Sequence, residues 1–144
     1  MPTIRPMTID DHDALVALLR STPGVTLRAA DGRDATARYL ARNPGLSFVA
    51  TDGDAVVGCV LAGHDGRRGY LQHLVVVPAA RGRGLGARLV GQALDALAAE
   101  GIDKTHIDVL ASNAEGLAWW VRRGWAHRDD IRRLSFVRSG RADA

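Results

Sequence analysis

Cysteine, lysine and aromatic residues are scarce in this sequence of 144 residues. The single cysteine, Cys59, excludes a disulfide within the chain and a cysteine-rich zinc site. The aromatic residues amount to 5% and form no RNA-binding motif, and no zinc-finger spacing of Cys and His is present. We predict no metal, because the following histidines show no metal-ligand spacing: His12, His64, His106 and His127.

Long hydrophobic runs are also missing. No apolar run comes near the ~20 residues that a transmembrane helix needs, and the N-terminus "MPTIRPMTIDD" lacks the apolar core of a secretory signal. Apolar residues nevertheless make up 47% of the chain, which excludes a disordered protein. The sequence therefore predicts a soluble, cytoplasmic protein without a membrane partner, and its length predicts one domain over residues 1–144.

Positive charge comes almost entirely from arginine. The net charge is +3 and Lys104 is the only lysine among 19 basic residues, while the isoelectric point is about 9.7. Two interpretations are open, a compositional bias towards arginine or a basic patch for nucleic acid. Because the arginines are scattered among 16 acidic residues, we predict no nucleic-acid partner.

Hydrophobic periodicity and turn residues predict one order of elements along the chain. The order is β-α-α-β-β-β-α-β-α-β, a mixed α/β (α+β mixed sheet) fold. The last helix is predicted to open with a capping box formed by Ser112 and Glu115. The predicted elements are a strand at 3–7, a helix after the capping-box-like "TIDD", a helix at 32–42, a hairpin turning at 52–54, a strand at 69–78, a helix at 84–100, a strand at 104–111, a helix ending before Gly124, and a strand at 130–138.

The stretch "RGRGLG", residues 81–86, lies between a predicted strand and a predicted helix. A strand, a glycine-rich turn and a helix N-terminus form a generic site for phosphate, since backbone N–H groups and the helix dipole favour an anion. A P-loop is excluded because the chain has no Gly-Lys pair, and a dinucleotide fingerprint starting at Gly82 would end on Ala87 instead of glycine. The spacing that fits is R-x-x-G-x-G, formed by Arg81, Gly84 and Gly86.

This spacing, the preceding "LVVVP" and the later "SNAEGLAWWVRRGW" together resemble the acetyl-CoA site of the GNAT N-acetyltransferase superfamily. The resemblance covers nearly the whole chain, because the order of elements matches as well. It implies a GNAT-like fold with splayed central strands and acetyl-CoA as co-substrate. It also implies direct transfer of the acetyl group to a primary amine of a small molecule or a peptide N-terminus.

The resemblance also implies which residues hold the co-substrate. The backbone amides of Gly82, Arg83, Gly84, Leu85, Gly86 and Ala87 would cradle the pyrophosphate, with Arg81 and Arg83 adding charge. The pantetheine arm would pair with the strand edge at Leu74 and Val76, and an N–H near Leu74 or Val75 would polarise the thioester carbonyl. Asn113 is either a contact to the cofactor arm or a helix cap.

Trp120 stands where many relatives carry a tyrosine that acts as an acid, and an indole N–H does not give up its proton near neutral pH. Alternation places Tyr70, Gln72 and Leu74 on one face of a strand, so Tyr70 is either the displaced acid or an ordinary half-buried strand tyrosine. Asp108 is either the base that deprotonates the amine or a sheet-face aspartate.

Three further residues have a purely structural role as one interpretation. His73 is expected mainly to pack on the sheet, since alternation points it away from Gln72, with a catalytic role as the alternative. Asp65 either gathers a cationic substrate or holds a turn. Cys59 reads as a buried strand residue without a base, so no covalent intermediate is expected.

Two rival functions remain at this stage, a CoA-binding sensor without turnover and a basic nucleic-acid-binding module. Aspartates in the first two predicted helices hint weakly at a cationic acceptor. The sequence leaves open whether the chain is a monomer or a homodimer.

Overall fold

The computed structural model describes residues 1–144, which divide into two compact units by their internal contacts. The first unit comprises Met1–Ile107 together with Asp143, and the second comprises Asp108–Ala142 together with Ala144. The predicted single domain stays a prediction.

A five-stranded sheet forms the centre of the first unit, in the order β1-β2-β3-β4-β5. The first four strands are antiparallel neighbours, and β4 pairs with β5 in parallel. The predicted mixed α/β class is confirmed, as is the order of elements up to the last helix. The strands are β1 (Thr3–Pro6), β2 (Phe48–Asp52), β3 (Ala55–His64), β4 (Gly69–Val76) and β5 (Thr105–Ile107).

Four α-helices accompany the strands: α1 (His12–Arg20), α2 (Arg33–Arg42) and α3 (Leu85–Ala99) in the first unit, and α4 (Ala114–Arg122) in the second. None of them combines the length and the apolar character that crossing a bilayer requires. The predicted capping box ahead of α1 is present, because the Thr8 N–H donates to Asp11 Oδ2 at 2.9 Å.

The hydrophobic core lies on both faces of β3. Cys59 and Leu61 belong to the cluster that also holds the buried leucines of α1. Their neighbour Gly58 faces the other way, and a Cβ there would lie 3.2 Å from the Leu89 side chain of α3. The predicted stripe of α3 is fully buried: Leu85, Leu89, Ala93 and Leu97. Helices α1 and α3 therefore cover opposite faces of the sheet and fix the position of β4 between them.

The strand predicted at 130–138 is absent. These residues form no regular element, and the side chains of Leu134 and Phe136 are 90% and 87% exposed. A strand needs a partner for its backbone hydrogen bonds, and α4 is the only regular element within the second unit. The local sequence alone was therefore insufficient to form it.

A bidentate ion pair anchors the start of α1. Arg5 donates to both carboxylate oxygens of the buried Asp11, at 2.7 and 2.9 Å. The Arg5 hydrogen bonds are the main reason why the pKa of Asp11 lies below its ordinary value of 3.8. A lowered carboxyl pKa stabilises the fold above the unfolded pKa, and this stabilisation is lost as the pH falls through the folded pKa.

We expect Asp11→Asn to lower the free energy of unfolding at pH 7 by about 1 kcal/mol, a modest value because Arg5 is 45% exposed and solvent screens the pair. Urea titrations at about pH 7 and about pH 3 would measure this, and the difference from the wild type should be smaller at the acidic value. The matched control is Asp10→Asn at the exposed neighbouring position. An equal loss in both variants would contradict a specific role for the pair.

Candidate active site

The loop between β4 and α3 has the predicted strand–turn–helix geometry. A short 3-10 turn covers Pro78–Ala80, and α3 begins at Leu85. Gly82 and Gly84 have φ angles of +81° and +75°, a left-handed conformation that residues with a Cβ rarely adopt. The glycines are thus needed to turn the chain so that its backbone faces outward ahead of the helix.

Six consecutive backbone N–H groups of this loop, from Gly82 to Ala87, donate to no other group of the protein. The Arg81 N–H bonds to the Pro78 carbonyl, and the Arg88 N–H is the first to find an acceptor in α3, the Gly84 carbonyl at 3.0 Å. Unpaired amides at a helix N-terminus attract an anion, aided by the helix dipole. The loop residues therefore fit the pyrophosphate that the sequence predicts for this place.

The two loop arginines differ in their contacts. Arg81 Nε donates to the Val76 carbonyl at 2.8 Å, which ties the loop to the end of β4. The nearest protein acceptor for Arg83 is the Ala79 carbonyl at 3.5 Å, the outer limit of a hydrogen bond. Both side chains are exposed. Arg83 is consequently the cation with more donors available to a phosphate.

The central strands are splayed, as predicted. Only Gly69–Leu71 of β4 pair with β5, because β5 ends at Ile107. From Gln72 to Val76, β4 continues without a strand on that side. This exposed edge leads directly to the glycine loop, the arrangement expected for an extended arm held beside its phosphates.

A β-bulge interrupts β4 between Gln72 and Val75. Leu61 pairs with Gln72 and Cys59 pairs with Val75, so two residues of β4 stand opposite Val60 alone. Paired residues share a face, and Gln72 and Val75 therefore lie on the side of α1. The expectation that Leu74 shares the face of Gln72 is wrong, because the extra residue reverses the alternation.

Tyr70 does share the face of Gln72, through its pairing with Gly63. It is half-buried, and its ring lies 5.6 Å from that of His106 on β5. The only other tyrosine, Tyr39 of α2, has a buried hydroxyl without a hydrogen-bond partner, and burial raises its pKa to about 12. Of the two tyrosines, Tyr39 is thus the one unsuited to exchange a proton near neutral pH.

Asp108 lies outside the strand in which it was predicted, since β5 ends one residue earlier. Its carboxylate accepts a hydrogen bond from Arg133 at 2.9 Å, and both side chains are mostly exposed. The role of Asp108 as the base stays a prediction, for a residue that lies at the surface in an ion pair with Arg133.

Asn113 caps α4, since its side-chain oxygen accepts the Gly116 N–H at 2.9 Å. The predicted capping box of Ser112 and Glu115 is therefore wrong by one residue, because the amide side chain at 113 occupies the N-cap. The amide nitrogen of Asn113 donates no hydrogen bond within the protein, and the contact to a cofactor arm stays a prediction.

Trp120 is a buried member of an aromatic cluster within the second unit. Its ring meets those of Trp119 and Trp125 edge-on, with centroids 4.9 and 4.7 Å away. Edge-to-face packing stabilises such clusters. The indole at this position has a structural role, whatever contact it makes to a co-substrate.

Cys59 and Asp65 have the bland roles considered from the sequence. Cys59 is completely buried, its thiol donates to the His73 carbonyl at 3.2 Å, and burial raises its pKa to about 12. It is therefore no nucleophile near neutral pH. Asp65 closes a turn by accepting the N–H groups of Arg67 and Arg68, and these bonds lower its pKa.

His73 is the residue that sequence reasoning undervalued. It stands in the bulge with a φ of +50°, the only positive value among residues other than glycine. Its Nε2 lies 2.7 Å from Asp31 Oδ1, in the turn between α1 and α2. No pattern in the sequence indicates this contact, because it depends on the bulge.

No cluster of three or more His, Cys, Asp or Glu side chains could hold a metal ion.

Solved structures with the same fold include proteins bound to coenzyme A. A PaiA N-acetyltransferase from Thermoplasma acidophilum in complex with coenzyme A has a TM-score of 0.79 and 17% identity, over 91% of this chain and 93% of its own. AAC(6')-Iy with a bisubstrate analogue, CoA-S-monomethyl-acetylneamine, has a TM-score of 0.71 and 19% identity, over 96% of this chain and 97% of its own. The NatC complex bound to Gag peptide and CoA has a TM-score of 0.73 and 20% identity, over 88% of this chain and 86% of the matched chain. At these identities the likeness establishes the fold.

The sequence itself matches the family model described as "Acetyltransferase (GNAT) family" over residues 13–125. This range includes both the glycine loop and the helix that contains Trp120. The match covers well over half of the chain. The chain therefore belongs to the GNAT family of acetyltransferases.

Proposed function

We propose that this protein transfers the acetyl group of acetyl-CoA directly to a primary amine of a small molecule or a peptide N-terminus. The observation that carries the proposal is the row of six unpaired N–H groups from Gly82 to Ala87, next to the splayed edge of β4. The amides would hold the pyrophosphate, and Arg83 would add charge. Arg81 supports the site by fixing the loop to β4.

The free edge of β4 would hold the pantetheine arm, with Leu74 and Val76 supplying main-chain partners and an N–H near Leu74 or Val75 directed at the thioester carbonyl. Such a donor stabilises the oxyanion that develops during attack. Asn113 and Trp120 are proposed as further contacts to the co-substrate. These roles involve backbone groups and cap positions, so they are compatible with the packing described above.

Tyr70 is proposed as the acid that protonates the departing thiolate. Its half-buried position on the α1 side of β4 supports this role. The thiol of CoA resembles a cysteine thiol, with a reference pKa of about 8.5, and leaves tolerably as an anion. The tyrosine missing at Trp120 therefore predicts a slower enzyme rather than an inactive one.

The acceptor would approach from the side of α1 and α2. A cavity of about 510 Å³ and another of about 270 Å³ open there, and Asp31 lines both. Arg38 and Arg42 line the smaller cavity together with Gln72 of β4. Among the similar folds, one holds an aminoglycoside-derived bisubstrate analogue and another a peptide, so both classes of acceptor belong in the test.

The test is release of thiol from acetyl-CoA against a panel of polyamines, aminoglycosides, amino acids and peptide N-termini. We expect turnover of at least one class, with product mass increased by one acetyl group. Binding of CoA without turnover of any amine would favour a sensor module instead. Salt-dependent binding of DNA or RNA without CoA binding would favour a nucleic-acid module.

A further inference from the structure

We propose that His73 is the catalytic base that deprotonates the acceptor amine, and that Asp31 is the residue that positions it. The inference rests on the proposed function and names a proton acceptor different from Asp108. It depends on a juxtaposition that only the fold creates, the bulge of β4 against the turn between α1 and α2.

The pair has the geometry of an oriented imidazole. His73 Nε2 and Asp31 Oδ1 are 2.7 Å apart, and the two side chains are 21% and 13% exposed. The other carboxylate oxygen, Asp31 Oδ2, accepts the Arg28 N–H at 2.8 Å, and the Asp31 carbonyl is 2.8 Å from His12 Nε2. Asp31 is therefore held on three sides, and its carboxylate fixes the ring of His73.

This contact also selects the tautomer of His73. A carboxylate accepts a hydrogen bond from Nε2–H, which leaves the lone pair on Nδ1. Nδ1 makes no hydrogen bond within the protein. Leu74, whose N–H is a proposed donor to the thioester carbonyl, is the next residue along the chain. A base and an oxyanion donor would thus come from adjacent residues of one bulge.

Backbone strain at His73 points the same way. A residue other than glycine with a φ of +50° is unfavourable unless its surroundings hold it, and such residues concentrate at functional sites. A histidine that only packed on the sheet would need no such conformation. The bulge places the ring against Asp31, and Asp31 lines both cavities.

The proton balance is complete with groups already named. His73 Nδ1 takes one proton from the ammonium form of the acceptor and releases it to water. The amine lone pair then forms the N–C bond to the acetyl carbon, and the C–S bond breaks as the carbonyl re-forms. Tyr70 gives its proton to the sulfur and recovers the second proton of the nitrogen through water. One amide, one thiol and one released proton result.

Other charged groups set the field around the pair, and all of them remain in the test proteins. Those lining the two cavities beside Asp31 are His12, Asp13, Arg20 and Arg28 in the larger and Arg38 and Arg42 in the smaller. A matched pair elsewhere in the sheet provides the control. His64 Nε2 lies 2.9 Å from Glu100 Oε1 at the far end of β3, with no bulge beside it.

We expect His73→Asn to lower kcat/KM by about 100-fold, the typical worth of a general base, while asparagine tolerates the left-handed backbone. Imidazole added to His73→Gly should restore part of the rate. His64→Gln should match the wild type. The assignment would be overturned if His73→Asn kept full activity, or if Asp108→Asn were the only variant to show the large loss.

A second measurement needs no turnover. Nitrogen NMR of isotope-labelled histidine reports the tautomer, and we expect His73 to carry its proton on Nε2 in the wild type and a mixture in Asp31→Asn. Asp31→Asn should also lower kcat by about tenfold with little change in KM for CoA. An unchanged tautomer would refute the positioning role of Asp31. Absence of turnover in the wild type with any amine would instead refute the proposed function.

Discussion

Replacing Gly84 by tryptophan will lower the affinity for coenzyme A by about 1,000-fold. Gly84 is the N-cap of α3 and has a φ of +75°, so a residue with a side chain forces the loop into another conformation. The unpaired amides of Gly82–Ala87 then no longer converge. Loss of two charge-assisted hydrogen bonds, each worth about 1.5–3 kcal/mol, corresponds to this change in the dissociation constant. Titration calorimetry with CoA measures it.

Gly101→Trp is the control for this variant. Gly101 lies just past the other end of α3, has a φ of +84°, and no atom lies within 4 Å of a Cβ placed there. The two substitutions thus share their backbone strain and their added side chain. CoA affinity should survive in Gly101→Trp. If Gly84→Trp also binds CoA normally, the glycine loop is not the phosphate site.

Replacing Leu89 by alanine will lower the free energy of unfolding by about 3–4 kcal/mol, the usual range for a leucine truncated in a close-packed core. Leu89 is fully buried and belongs to the stripe by which α3 packs on β3. Since α3 begins at the glycine loop, the same leucine also holds that loop against the sheet. Urea denaturation followed by circular dichroism gives the value.

The same chemical change at Leu134 provides the comparison. This side chain is 90% exposed, and its truncation should alter the free energy of unfolding by less than about 0.5 kcal/mol. A loss at Leu134 as large as at Leu89 would mean that the segment after α4 is packed in solution.

Those parts of the fold that depend on local patterns could be predicted. The stripe of Leu85, Leu89, Ala93 and Leu97 repeats every four residues and fixed both the helix and its buried face. The loop before it was predictable because positive φ angles demand glycine and an anion demands free amides. Each of these features is decided by residue types within a few positions of one another.

The bulge was out of reach because it depends on the register between β3 and β4. A slip of one residue reverses which side chains share a face, so alternation placed Leu74 with Gln72 and pointed His73 away from them. The contact between His73 and Asp31 joins residues from distant parts of the chain. Neither residue carries a local signal for it.

The second unit gave the least reliable predictions. The segment 130–138 contains apolar residues typical of a strand, yet strand formation is decided by the availability of a partner. Asp108 was counted as a strand residue because the run "KTHIDVLA" continues past Ile107, where pairing with β4 stops. The amide side chain of Asn113 caps the helix, in place of the capping box expected one residue earlier.

The buried thiol of Cys59 has a practical consequence. It is the only thiol of the protein, it is inaccessible in the folded state, and its raised pKa keeps it protonated. A disulfide reagent used to follow acetyl transfer would therefore react with the product and not with the enzyme. The same reagent would label Cys59 only when β3 separates from its neighbours. The rate of labelling in the absence of substrate therefore reports how often the sheet opens.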